Sequence, residues 1–264
     1  MDDCMNSRDE LWCPHCLRMY YGDSDHVHCP ECGHPGVCDD CVREKYDSDV
    51  HDPQAWQSEP ALSPDDRIIL FSEDSDRVGH AIECGGNVNV ADRNGMTALM
   101  RAAKHGSENK AWRLIFEGAD VDAVDNDGYT ALMFAAENGF TDIAKELLDN
   151  NAYVNAVSKT GWTPMTLAYI GNHIEMMRVL AGYGANVNQK NSAAGTLLMQ
   201  AVITNEPAKV GLLIENGADV SIKDKWGSSA LDWARQLKRG EILKILEEAL
   251  KKAGLCNQAR SPRK

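Results

Sequence analysis

From Asp92 onward the chain repeats itself every 33 residues, and no other feature limits its fold as tightly. Blocks begin at Asp92, Asp125, Ser158 and Asn191, and a fifth begins at Asp224. Their cores read GMTALMRAA, GYTALMFAA, GWTPMTLAY, AGTLLMQAV and GSSALDWAR. The tails that follow read FEGADVDAV, DNNAYVNAV, GYGANVNQK and ENGADVSIK. A unit this short buries its apolar face only against its neighbours, so the expected product is a stack of units sharing one core.

Each recurring residue has a local task. Gly95, Gly128, Gly161 and Gly227 share a phase where a tight turn needs positive φ. Thr97, Thr130, Thr163, Thr196 and Ser229 follow two residues later and are suited to cap a first helix. Ala102, Ala135, Ala168, Ala201 and Ala234 keep one helix face small enough for close stacking. Leu114, Leu147, Leu180, Leu213 and Leu246 anchor a second helix, which Gly118, Gly184 and Gly217 are placed to end.

This pattern resembles the ankyrin repeat, over residues 92–254 with a partial repeat before them. The resemblance implies a mainly α ankyrin-repeat solenoid of five 33-residue repeats plus an N-terminal cap. Residues 65–91 are read as that cap, since they end in the tail GGNVNVA but lack the TALM core. Residues 234–252, with the amphipathic run EILKILEEALKK, supply the polar-faced end that a stack needs. Two departures stand out: Ala194 takes the turn glycine's phase, implying a finger shifted or distorted there, and Lys110 and Lys209 sit where an apolar residue is expected. The resemblance further implies a concave surface of turn tips and inner helices that binds protein. The tip residues Met96, Tyr129, Trp162 and Trp226, with Lys159 beside Trp162, are the expected partner-binding set. The alternative is that Trp162 and Trp226 simply cover neighbouring fingers.

Seven of the nine cysteines fall within residues 1–41, as do four of the eight histidines. Cys13/Cys16 and Cys29/Cys32 form CPxC pairs twelve residues apart, and Cys38/Cys41 form a third CxxC pair. Two such pairs can present four thiolates to one zinc ion, and the spacing resembles a zinc ribbon. A second ion would need Cys38 and Cys41 plus two of His26, His28 and His34, giving one to two zinc ions per chain. The alternating order of pairs is similar to a cross-braced RING domain, which would imply a ubiquitin-ligase component. His28 abutting Cys29, and His15 where RING domains usually carry an aliphatic residue, depart from that family. With little aliphatic core, residues 1–41 depend on a metal to fold. Residues 42–64 are read as a linker, 65–254 as the repeat domain and 255–264 as a disordered basic tail.

Net charge is −13, with 14 Asp/Glu against 4 Lys/Arg in residues 1–60. That balance argues against nucleic-acid binding through the cysteine-rich module. The opening MDDCMNSRDELW has no signal-peptide order, and no apolar run approaches a membrane span, so a cytoplasmic monomer is expected. No nucleophile elbow, phosphate-binding glycine loop or HExxH occurs, and His80, His105 and His173 are scattered one per repeat-like unit. The sequence therefore points to a protein-interaction adaptor and not to an enzyme.

Overall fold

The computed structural model of the chain describes residues 62–190 and 195–259, together with three short strands nearer the N-terminus. Those strands, β1 (Met5–Asn6), β2 (Glu10–Trp12) and β3 (Met19–Tyr21), form an antiparallel sheet in chain order. Met5 pairs with Leu11, and Trp12 pairs with Met19.

The remaining described residues are helical and divide into two compact units. The first runs to Leu132 and includes α1 (Pro64–Phe71), α2 (Ser75–Glu83), α3 (Ala98–His105) and α4 (Glu108–Phe116). α1 packs on α2 and α3 on α4, while α1 also meets α3 and α2 meets α4. The chain continues through α5 (Ala131–Asn138) and α6 (Thr141–Asp149). The second unit holds most of these two, then α7 (Pro164–Ile170), α8 (Ile174–Gly182), α9 (Leu197–Ile203), α10 (Pro207–Glu215), α11 (Ala230–Gln236) and α12 (Gly240–Ala259). There α7 packs on α8, α9 on α10 and α11 on α12, while α9 also lies on α11 and α10 on α12.

The local rules read from the sequence account for these helices. Ser63 caps α1 by accepting from the Asp66 N–H at 3.1 Å, with Pro64 opening the first turn. Thr97, Thr163, Thr196 and Ser229 each accept from the backbone N–H three residues on. Ala102, Ala168, Ala201 and Ala234 are wholly buried, as are Leu114, Leu180 and Leu246. Small residues on the first helices and branched ones on the second let neighbouring pairs approach and still fill the space between.

One station of the repeat is not legible in the sequence. Just past each first helix, Gly106, Gly139, Asn172, Asn205 and Lys238 all have positive φ, between 56° and 80°, and lie 33 residues apart. Three different residue types share one left-handed geometry, so no single letter marks it.

α12 runs on to Ala259, into the stretch 255–264 expected to be disordered. No proline interrupts it until Pro262, and the residue before a proline is itself biased away from the helix. Residues 191–194, which include the finger expected to be shifted at Ala194, lie outside the described residues; on either side, Lys190 and Thr196 form the same isolated bridge as Ala91 with Thr97 and Lys223 with Ser229.

The two lysines at apolar positions are explained by what they reach. Lys110 is buried completely, and its Nζ donates to the Leu70 carbonyl 40 residues upstream, at 3.0 Å. Lys209 repeats the arrangement on the Tyr169 carbonyl at 3.1 Å, and it adds the Glu206 carboxylate at 2.9 Å. Each ammonium thus satisfies a carbonyl at the end of the preceding first helix. Glu73, which accepts from the Ser107 hydroxyl, lies close enough to raise the Lys110 pKa. Burial outweighs it and, with Arg101 acting in the same direction, pulls Lys110 down to about 8.

A lysine that holds its proton less tightly in the fold than in the unfolded chain makes stability rise with pH above its folded value. Between about pH 7.5 and about pH 9.5 the protein is expected to gain on the order of 2 kcal/mol from this group. Denaturant titration of Lys110→Met should show that gain removed. Equal pH slopes in the two proteins would refute the assignment.

Candidate functional site

The surface expected to bind a partner is carried by short fingers, and each described finger is organised from its first residue. Asp92 accepts from the N–H groups of Asn94 and Met96, at 2.8 and 3.0 Å. Asp125 does the same for Asp127 and Tyr129, and Asp224 for Trp226 and Ser228. Ser158 accepts from Trp162 at 3.0 Å. Gly95, Gly128, Gly161 and Gly227 close the same turns with φ between 75° and 87°. The glycines are evident from their phase alone, whereas the role of the acceptor three residues before them emerges only from these bonds.

The acceptor also ties each of two fingers to its own helix. Arg101, nine residues after Asp92, bonds its carboxylate at 2.6 Å, and the Trp233 indole N–H, nine residues after Asp224, donates to it at 2.8 Å. Burial pushes the Asp224 carboxyl up, but the hydrogen bonds from Trp233, Ser228, Trp226 and Gly227 prevail and hold it below the usual carboxylate range. Asparagines spaced by the repeat then link consecutive tails. Asn89 accepts from Asp120 N–H in the first unit, and Asn155 and Asn188 accept from Asn186 and Asp219 N–H in the second.

The expected partner-binding residues fall into both units. In the first, Met96 and Tyr129 are half-buried. In the second, Lys159 is exposed, Trp162 is 39% exposed and Trp226 is 66% exposed. Trp226 makes an edge-to-face contact at 6.4 Å with Trp233, on the helix of its own repeat and not on a neighbouring finger, and most of the ring stays in solvent. The Lys225 ammonium sits 4.4 Å over its centroid.

Other surface residues were not anticipated. Ile170 and Ile203 end α7 and α9 at one repeat phase, and both are exposed. That phase carries Lys104, Glu137 and Gln236 in the other blocks, so the two isoleucines could have been found by comparing columns. In the first unit, Trp112 and Phe116 stand one turn apart on α4 and are exposed, the latter by 84%, beside a hollow lined by Ser75, Asn109 and Arg113. A helix of nine residues reads too briefly to show which face is solvated.

The nine expected metal ligands, Cys13, Cys16, Cys29, Cys32, Cys38, Cys41, His26, His28 and His34, lie outside the described residues. Among the described residues no group of three or more His, Cys, Asp or Glu could hold a metal ion, and no helix is long and apolar enough to cross a membrane. His173 is a structural residue: its Nε2–H donates to the Glu137 carbonyl at 2.9 Å. Gly139 and Gly171 leave room for its ring, which a Cβ on either would meet at 2.5 or 2.4 Å.

Replacing Asp92 by Ala strands two backbone N–H groups and the Arg101 guanidinium, and is expected to cost about 1–3 kcal/mol in denaturant titration. A negligible change would mean that water serves the turn equally well.

Comparison with curated proteins finds no match. A family model described as Ankyrin repeats matches in three overlapping copies, at residues 68–158, 100–191 and 152–224. These spans cover well over half of the 264 residues, on helix pairs whose fingers, caps and stacked faces repeat at the same period. The chain belongs to the ankyrin-repeat family.

Proposed function

We propose that the protein is an interaction adaptor that captures a partner protein on its finger tips and first helices. The observation that carries this reading is the exposure of Trp162 and Trp226 on fingers whose backbones are already fixed by their own hydrogen bonds. Rigid aromatic side chains held in solvent lose little freedom on binding, which is what an interface hot spot requires. The five-repeat count and the cap at residues 65–91 belong to the same proposal, as does a monomeric, cytoplasmic protein. With a partner in hand, Trp162→Ala is expected to weaken binding by about 2 kcal/mol or more while the helical circular dichroism is unchanged. Lys159, exposed on the same finger, is expected to alter the association rate and its salt dependence more than the affinity. Unchanged calorimetric affinity for Trp162→Ala would move the interface elsewhere.

A structural zinc module at residues 1–41 is the second part of the proposal. Its support is the pairing of Trp12 with Met19, which brings together the two ends of the segment that contains Cys13 and Cys16. A CxxC pair between two paired strands suits two thiolates directed at one ion, and Cys29 and Cys32 supply the same spacing again. Zinc there would take a structural place with a closed ligand set, and would hold together a segment poor in aliphatic residues. Elemental analysis of protein prepared without chelator should give one to two zinc ions per chain. Cys29→Ser should lower that content and leave the helical signal nearly intact; a metal-free preparation that folds equally well would refute it.

A further inference from the structure

The fingers of the second unit carry a charge opposite to that of the chain as a whole. Lys159, Lys190, Lys223 and Lys225 are all exposed on them. Adjacent fingers bring three of these together: Lys190 Nζ donates to the Lys223 carbonyl at 3.4 Å, and Lys225 follows two residues later with its ammonium over Trp226. The acid between them, Asp224, is turned inward and committed to Trp226, Ser228 and the Trp233 indole. Asp219 is likewise engaged by the Ser221 N–H and hydroxyl. Asp232, the carboxylate whose field reaches Lys223, accepts from Ser229. Lysine thus points outward beside the inward-turned Asp224, while Asp219 and Asp232 stay exposed with their oxygens engaged by serine. The fingers of the first unit show the reverse, with Asp120, Asp122 and Asp127 exposed.

Apolar surface accompanies this charge on the same finger, where Trp226 is 66% exposed beside Lys225. We propose that this surface takes an acidic peptide segment of a partner protein, carboxylates facing Lys190, Lys223 and Lys225 and an aromatic or aliphatic anchor on Trp226. The proposal rests on the finger-tip reading above and specifies its partner. A protein of net charge −13 repels polyanions at long range, so a short acidic segment that reaches the local lysines suits it better than a nucleic acid. Charge complementarity of this kind sets partner choice and encounter rate, while the anchor supplies residence time.

The test is selection of a phage-displayed library of random 16-residue peptides on the full chain, followed by binding measurements on synthetic copies of the enriched sequences. The expected result is enrichment of peptides with an excess of Asp and Glu around an aromatic or leucine residue. Their affinity should fall at least tenfold for the Lys223→Glu, Lys225→Glu double variant, and fall progressively with added salt. Circular dichroism of the variant serves as the folding control. If the variant does not fold, the single Lys225→Gln change, at an exposed position, carries the same test with a smaller loss. Enriched peptides without acidic excess, or acidic peptides indifferent to these lysines, would overturn the proposal. Non-acidic peptides lost with Trp162→Ala would overturn it while leaving the finger-tip reading intact; failure to enrich any peptide would count against both. Tighter binding of a uridine 15-mer than of any selected peptide would assign the lysines to nucleic acid and overturn it as well.

Discussion

At the head of every described finger, one side-chain oxygen takes up one or two backbone N–H groups that the turn leaves without partners. Asp92, Asp125, Ser158 and Asp224 occupy this place, and the rest of each repeat follows from it. An N–H left unpaired in a half-buried turn costs about as much as a helix cap contributes, so the acceptor fixes the finger's path before any tertiary contact is made. Through Arg101 and Trp233, two of these acceptors also fasten the finger to the helix it introduces. A tip displayed in this way keeps its backbone path with no partner bound.

Energy and direction come from different groups within each unit. The alanine and leucine faces supply the driving force, which is indifferent to small sliding movements. Direction comes from polar bonds that reach from one repeat into the next: the asparagines 89, 155 and 188 between tails, and Lys110 and Lys209 between helix pairs. Each acts on a single carbonyl or N–H, so each specifies a position that the apolar faces leave open.

The sequence discloses what depends on one residue type at one phase. The turn glycines, the threonine caps and the buried alanines are all readable for that reason. The exit from the first helix is hidden because glycine, asparagine and lysine share it. Lys110 and Lys209 are recognisable as departures, but their acceptors lie 40 residues upstream on another helix and leave no mark nearby. At the site, Trp162 and Trp226 are legible as tip residues, whereas Ile170 and Ile203 need knowledge of where a short helix ends. The metal ligands rest on spacing, and the described residues add only the pairing of Trp12 with Met19 on either side of one cysteine pair.

The exit station has a consequence for how the protein comes apart. A side chain in the left-handed region costs roughly 1–2 kcal/mol, less for asparagine, which bonds locally, and nothing for glycine. Along the chain the station passes from Gly106 and Gly139 to Asn172 and Asn205 and finally to Lys238, so the joint least suited to its geometry lies between the last two helices. That weaker joint marks α11 and α12 as the pair expected to open first. Amide exchange and protease entry are expected to begin there before the pairs joined by glycine open.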